Sequence, residues 1–266
     1  MSAESQSIPS STILMLRDGD APCEVLMVER HYQIDFASGA LVFPGGKLAK
    51  EDYDPAWNDH VDAAPQANDS AFRIGAIREA FEESGLLLAR HRAARGVGGG
   101  LIEAAALEAA IPHRAQVAAG ETSFLGLIRD LDLVLALDLL TPFAHWVTPK
   151  GMPKRFDTWF YLAVAPAAQI AVCDGHEAVE ACWIAPRDAL AAAESGARKI
   201  IFPTRMNLEM LATADDVETA LAQARGRTIV RVEPEVVREE SGALVLTIPA
   251  EAGYPVTREP LEGNMP

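Results

Sequence analysis

The feature that most restricts this chain is the octapeptide REAFEESG at residues 78–85, which gathers Arg78, Glu79, Glu82 and Glu83 and closes on a glycine. Asn68, Asp69 and Ser70 are residue types that cap helix N-termini. Phe72, Ile74, Ile77 and Phe81 keep a roughly helical spacing, and Gly85 suits the position just past a helix end. The pattern predicts a helix over 69–84. Positions three and four apart share a helix face, so Glu79, Glu82 and Glu83 converge and repel one another. Either they fan into water with Arg78 as partner, or they gather around a cation. The turn FPGG at 43–46 favours the cation, because glycine lets backbone approach a ligand closely. Hard carboxylate oxygens on a rigid helix suit Mg²⁺ or Mn²⁺, ions that also bridge to substrate phosphates.

Around this helix the chain alternates strand-like and helix-like segments. STILMLRD (11–18) and CEVLMVER (23–30) read as a hairpin about GDAP, and ALVF (40–43) as a strand running into PGG. Residues 47–69 show no sustained period and read as an excursion. LLLAR (86–90) reads as a strand, 101–119 and 122–133 as helices, and 139–149, 155–166 and 179–186 as β-rich. RDALAAAES and PTRMNLEMLATA have helical composition, while RTIVRVEP and ALVLTIPA read as a late pair of strands. Mixed elements without regular βαβ alternation predict an α+β fold, an α/β/α sandwich with a mixed sheet. We expect a single domain over 1–266, with insertions at about 47–69 and 101–133 and a C-terminal extension at about 216–266.

Composition narrows the partners. With 49% apolar residues in 266 the chain can bury a large core, and its net charge of −15 argues against nucleic acid or an anionic membrane as partner. An anionic small molecule would need local cations. Cys23, Cys173 and Cys182 lack CxxC spacing and predict reduced thiols. MSAESQSIPSS lacks a signal-peptide pattern and no apolar run is long enough to span a bilayer, so cytoplasm is the expected compartment.

Gly46 followed by REAFEESGL at 78–86 resembles the Nudix box, in which Gly, five residues, Glu and seven residues precede Arg-Glu-apolar-x-Glu-Glu-x-Gly-apolar. The second half matches at Arg78, Glu79, Ala80, Glu82, Glu83, Gly85 and Leu86. The first half departs: Arg78 follows Gly46 by 32 positions where the box allows 14, an excess of eighteen. Counting forward from Gly46, the box's first Glu falls on Asp52, beside Glu51. Long insertions at this point are similar to those of the Nudix subgroup that includes mammalian peroxisomal coenzyme A diphosphatases. HWVTP (145–149), RFDTWFYLA (155–163), EACWIAP (180–186) and FPTRMNL (202–208) also look like that subgroup.

The resemblance implies that Glu79, Glu82 and Glu83, with Asp52, hold Mg²⁺ or Mn²⁺ while Arg78 orients a carboxylate. It implies hydrolysis of a diphosphate linked to another moiety, with CoA or an acyl-CoA as the leading substrate. ADP-ribose, NADH, nucleotide sugars and a non-catalytic nucleotide sensor are the alternatives. The general base stays open between Glu82, Glu177 and Glu180. The signature of CoA-cleaving members, anchored at Phe43, matches at Leu26, Arg30 and Gly39, but has His31 for Ser or Ala and Asp35 for an Arg. Arg30, Gly45, Gly46, Trp146 and Arg155 are therefore the candidate substrate-binding residues, with Lys150, Lys154 and Arg205 as further cations. One or both insertions are expected to wall the pocket or to form a homodimer contact.

Overall fold

Alternation along the first strand sets the architecture: Ile13 and Met15 are buried in one apolar core, Leu14 and Leu16 in another. A strand buried on both faces belongs at the middle of a layered fold. The computed structural model describes residues 6–32, 38–62, 69–96, 98–176 and 178–260. Its strands are β1 (Ile8–Arg17), β2 (Glu24–Arg30), β3 (Leu41–Val42), β4 (Gly45–Lys47), β5 (Ala89–His91), β6 (Leu133–Leu135), β7 (Thr141–Val147), β8 (Phe156–Val164), β9 (Ala178–Ile184), β10 (Arg231–Val232), β11 (Glu235–Arg238), β12 (Leu244–Thr247) and β13 (Arg258–Pro260). Its α-helices are α1 (Ser70–Ser84), α2 (Ala104–Ala110), α3 (Arg114–Ala118), α4 (Phe124–Asp130), α5 (Pro186–Glu194), α6 (Phe202–Leu211) and α7 (Val217–Gly226).

The main sheet runs β10-β7-β8-β1-β2-β3, with β4 joined to β1 and β9 to β2. β1 lies parallel to β8 from Ile8↔Phe156 to Leu16↔Val164. Its other edge is divided: Leu16 and Arg17 pair with β2, whereas Ser10, Ser11 and Thr12 pair with β4. This division brings the double glycine under α1. One core packs α1, α2 and α4 on Ile13, Met15, Leu26 and Tyr161. The other packs α6 and α7 on Leu14, Leu16, Val25 and Met27. The fold is thus α+β, a mixed sheet between helical layers, as expected.

Several local expectations are corrected. The excursion holds two 3₁₀ turns, Lys50–Tyr53 and Pro55–Asp59, with Trp57 buried between them and the core. Asp54 caps the second, accepting from the Ala56 amide at 2.8 Å. Of LLLAR only Ala89 and Arg90 enter a strand, paired with β6. The late strands are not partners of each other: Arg231 and Val232 pair in parallel with β7, and β12 pairs with β11 and β13. Apolar alternation marks a strand but does not choose its neighbour. Helix α7 carries little apolar periodicity because its buried face is mostly small, Ala220 and Ala224 beside Val217; Asp216 caps it, accepting from the Thr219 amide at 2.7 Å. Asn68, Asp35 and Glu177 lie outside the described residues.

Candidate metal and substrate site

Helix α1 starts one residue inside the predicted span and ends on Gly85, whose φ of 73° is the left-handed conformation that glycine adopts without strain. Asp69 does not cap through its side chain; its Oδ2 accepts instead from Arg73 Nε at 2.9 Å and from the Tyr161 hydroxyl at 3.2 Å. The charged face is not solvated: Arg78, Glu79 and Glu83 are buried and Glu82 is half-buried.

Arg78 organises this face. Its Nε donates to Asp52 Oδ1 at 3.0 Å and its Nη2 to Asp52 Oδ2 at 2.9 Å, a two-pronged fit of guanidinium to carboxylate. Nη2 also donates to the Lys47 carbonyl, and Nη1 donates to Glu79 Oε1 at 2.8 Å and Glu82 Oε1 at 3.0 Å. Burial opposes the charge on Arg78. The Asp52 hydrogen bonds and the charges of Glu79, Asp52 and Glu82 outweigh it and raise the pKa well above its ordinary value.

The double glycine closes the other side. The Gly45 amide donates to Glu83 Oε2 at 3.0 Å, and a Cβ on Gly46 would fall 2.5 Å from Glu79 Oε2. No side chain fits there. Arg30 reaches the same cluster, its Nη1 3.9 Å from Glu83 Oε1, and its Nε is buried without a hydrogen-bond partner. The fold therefore brings together Arg78, Glu79, Glu82, Glu83, Gly45, Gly46 and Arg30.

Asp52 also arrives, across the eighteen extra residues, and pairs with Arg78. Both its oxygens hold Arg78, and Oδ2 further accepts from the Ala49 amide at 2.8 Å. In this arrangement it anchors Arg78. Trp146 is corrected too: it is 3% exposed in the core across the sheet from α1, its indole N–H donating to the Tyr254 hydroxyl at 2.8 Å. Arg155 donates to the Thr148 carbonyl and pairs with Glu233, which ties β8 to the C-terminal segment. Glu180 pairs with Arg198, and Arg205 with Glu209 and Glu259. His145 pairs with Asp157 and stacks on Trp159.

What sequence reading missed is how the second insertion is fastened here. The Glu51 carboxylate accepts from the Ser123 hydroxyl and from the Phe124 amide at 2.9 Å, capping α4. Arg114 Nε donates to the Glu82 carbonyl at 2.8 Å, and burial lowers the Arg114 pKa against the opposing charges of Asp174, Cys173 and Glu83. Between these two ties lies a cavity of about 410 Å³, with Glu51, Arg78 and Glu82 on one side and Val117, Thr122 and Phe124 on the other. That is the size of a small-molecule site.

Among the described residues, no three His, Cys, Asp or Glu side chains already form a metal cage. Glu79 and Glu82 are turned onto Arg78, and Glu83 onto the Gly45 amide. The donor chemistry nonetheless fits a hard divalent ion. Three carboxylates lie within one and a half helical turns, and Gly46, lacking a Cβ, lets the Glu79 carboxylate approach the backbone closely.

A family model described as the NUDT19 Nudix domain matches residues 58–209. An acyl-coenzyme A diphosphatase NUDT19 of Gallus gallus is 27% identical over 212 residues, 64% of this chain and 56% of the relative. The Homo sapiens protein of the same name is 34% identical over 207 residues, 62% of this chain and 54% of the relative. The chain thus spans little more than half the length of these relatives. The crystal structure of a Nudix hydrolase from Alicyclobacillus acidocaldarius superposes with a TM-score of 0.70 at 27% identity, covering 83% of this chain and 97% of that one. Among the described residues no helix is long and apolar enough to cross a membrane.

Proposed function

This chain belongs to the NUDT19 Nudix domain family, and from that premise we propose that it is a Nudix pyrophosphohydrolase that cleaves the diphosphate of CoA or an acyl-CoA. The products are phosphopantetheine, or its acyl form, and adenosine 3′,5′-bisphosphate. The observation that carries this reading is the buried cluster of Glu79, Glu82 and Glu83, braced by Arg78 and open to a cavity through Glu82. The names of the relatives supply the substrate class.

Glu79, Glu82 and Glu83 would hold Mg²⁺ or Mn²⁺. Such an ion, when bound, supplies positive charge opposite the phosphate oxygens and makes water more acidic. Arg78, locked by Asp52, fixes the carboxylates of Glu79 and Glu82 so that they are not free to scatter. Arg30 offers its unpartnered buried Nε–H to a substrate phosphate oxygen. Glu82, the most exposed of the three glutamates, would take a proton from attacking water. The wall built by Val117, Thr122 and Phe124 keeps bulk solvent from one side of the reaction.

A substrate panel tests the reading. Purified protein with Mg²⁺ should release adenosine 3′,5′-bisphosphate from CoA and acyl-CoAs and leave ADP-ribose and NADH intact. Cleavage of ADP-ribose or NADH with CoA untouched would overturn the substrate assignment. No cleavage of any diphosphate with either ion would overturn the enzymatic one.

A further inference from the structure

The face of the sheet turned away from α1 contains a second cavity of about 280 Å³, closed by α6, α7 and the turn after residue 252. Its walls are mainly apolar: Phe143, Met210, Leu211, Ala220 and Ala224. Into this lining projects one cation, Arg227. The guanidinium carbon lies 4.8 Å from the centre of the Phe143 ring, and Nη2 donates to the Phe143 carbonyl. Among the described residues no carboxylate pairs with it, and burial lowers its pKa against a smaller opposing effect of Tyr254.

Every other half-buried or buried arginine discussed above either meets a carboxylate or sits beside the glutamate cluster. A guanidinium facing apolar side chains without a counter-ion is costly to keep charged. The ring of Phe143 and one carbonyl offset part of that cost, but a guanidinium has five N–H groups in a planar fork made for a carboxylate. In a chain of net charge −15, a lone cation in an apolar cavity is a selective feature and not part of a general anion-attracting surface.

We propose that this cavity binds an aliphatic carboxylate, with the carboxylate on Arg227 and the alkyl chain against Met210, Leu211, Ala220 and Ala224. Thr213 and Gln223 at the rim supply further hydrogen-bonding groups. The site lies across the sheet from Glu79, Glu82 and Glu83 and is independent of the diphosphatase reading.

Octanoate is the probe, with octan-1-ol as the neutral analogue and acetate as the headgroup without a chain. Calorimetric titration of the full chain should show one octanoate per molecule and a rise in Tm. Octan-1-ol and acetate should each bind at least about tenfold more weakly, the scale of one charge-assisted hydrogen-bonded pair or of lost chain burial. Arg227→Gln should bring octanoate down to the affinity of octan-1-ol while octan-1-ol itself is unchanged. Failure of octanoate to bind, equal binding of octanoate and octan-1-ol, or unchanged octanoate affinity in a folded Arg227→Gln would each overturn the proposal. The comparison of the three probes on the unaltered protein decides the matter even if the variant does not fold.

Discussion

Two buried arginines fasten the excursion at 47–62 to the rest of the molecule, and they do it with the same chemistry for different ends. Arg78 grips Asp52 near the start of the excursion, and Arg90 grips Asp62 near its described end. Arg90, 1% exposed, donates to Asp62 Oδ2 at 2.5 Å, to Asp138 at 2.6 and 3.0 Å, and to the Gly99 carbonyl at 2.8 Å. Its partners are all scaffold: Asp138 in the β6–β7 connection, the Gly99 carbonyl and Asp62 of the excursion. Arg78 spends one edge on Asp52 and turns Nη1 to Glu79 and Glu82, beside the cavity. A guanidinium whose partners enclose it holds a fold together. One with carboxylates left facing a cavity holds a site together.

The largest effect should therefore fall on stability, at Arg90. Arg90→Ala leaves the buried Asp62 and the half-buried Asp138 without their counter-charge, and we expect a loss of about 3–5 kcal/mol in urea unfolding. A loss below about 1 kcal/mol would show that water or Arg95, 3.7 Å from Asp62, takes over the pairing, and the contrast with Arg78 would collapse. At the site the loss should be in rate. Glu82→Gln and Glu83→Gln each keep shape and remove charge, so turnover should fall by about tenfold or more while the unfolding midpoint stays near that of the parent. Unchanged turnover in both would remove the glutamates from the chemistry.

Much of this contrast was legible in the sequence, but not all of it. The helix was readable from Ile74, Ile77 and Phe81 and from Gly85, because 3.6-residue spacing and a left-handed end are local properties. The convergence of Glu79, Glu82 and Glu83 followed from the same spacing. Asp52 could be located by counting, yet its role could not, since which carboxylate captures Arg78 depends on how eighteen extra residues return in space. Trp146 was misplaced because aromatic alternation says that a strand is covered and not by what; here Tyr254, 108 positions on, covers it. The bond between Glu51 and Ser123 spans 72 positions and left no trace in either segment.

A smaller effect separates the two arginines by geometry instead of charge. Arg78→Lys keeps the positive charge but cannot span Asp52, Glu79 and Glu82 at once, because an ammonium lacks the planar fork. Loss of two or three of its five donated bonds predicts about 1–2 kcal/mol in stability and a several-fold rise in the Mg²⁺ concentration needed for half-maximal turnover. If the stability falls with no change in the Mg²⁺ dependence, Arg78 belongs with Arg90 as scaffold.

The smallest effect should come from Glu51, which belongs to the excursion yet caps a helix of the second insertion. Glu51→Gln retains one acceptor for the Phe124 amide but loses the charge at the start of α4 and the acceptor facing the Ser123 hydroxyl. Capping and helix-dipole terms of this kind are worth about 1 kcal/mol, enough to let α4 open more often without unfolding the sheet. Amide exchange should therefore quicken at Leu127 and Ile128 and remain slow at Ile13 and Leu14. Because Glu51 and Phe124 line the cavity beside Arg78 and Glu82, KM should rise a few-fold while kcat holds. Faster exchange with an unchanged KM would mean that the second insertion braces the glutamate helix from outside, through Arg114 on the Glu82 carbonyl, and takes no part in holding the substrate.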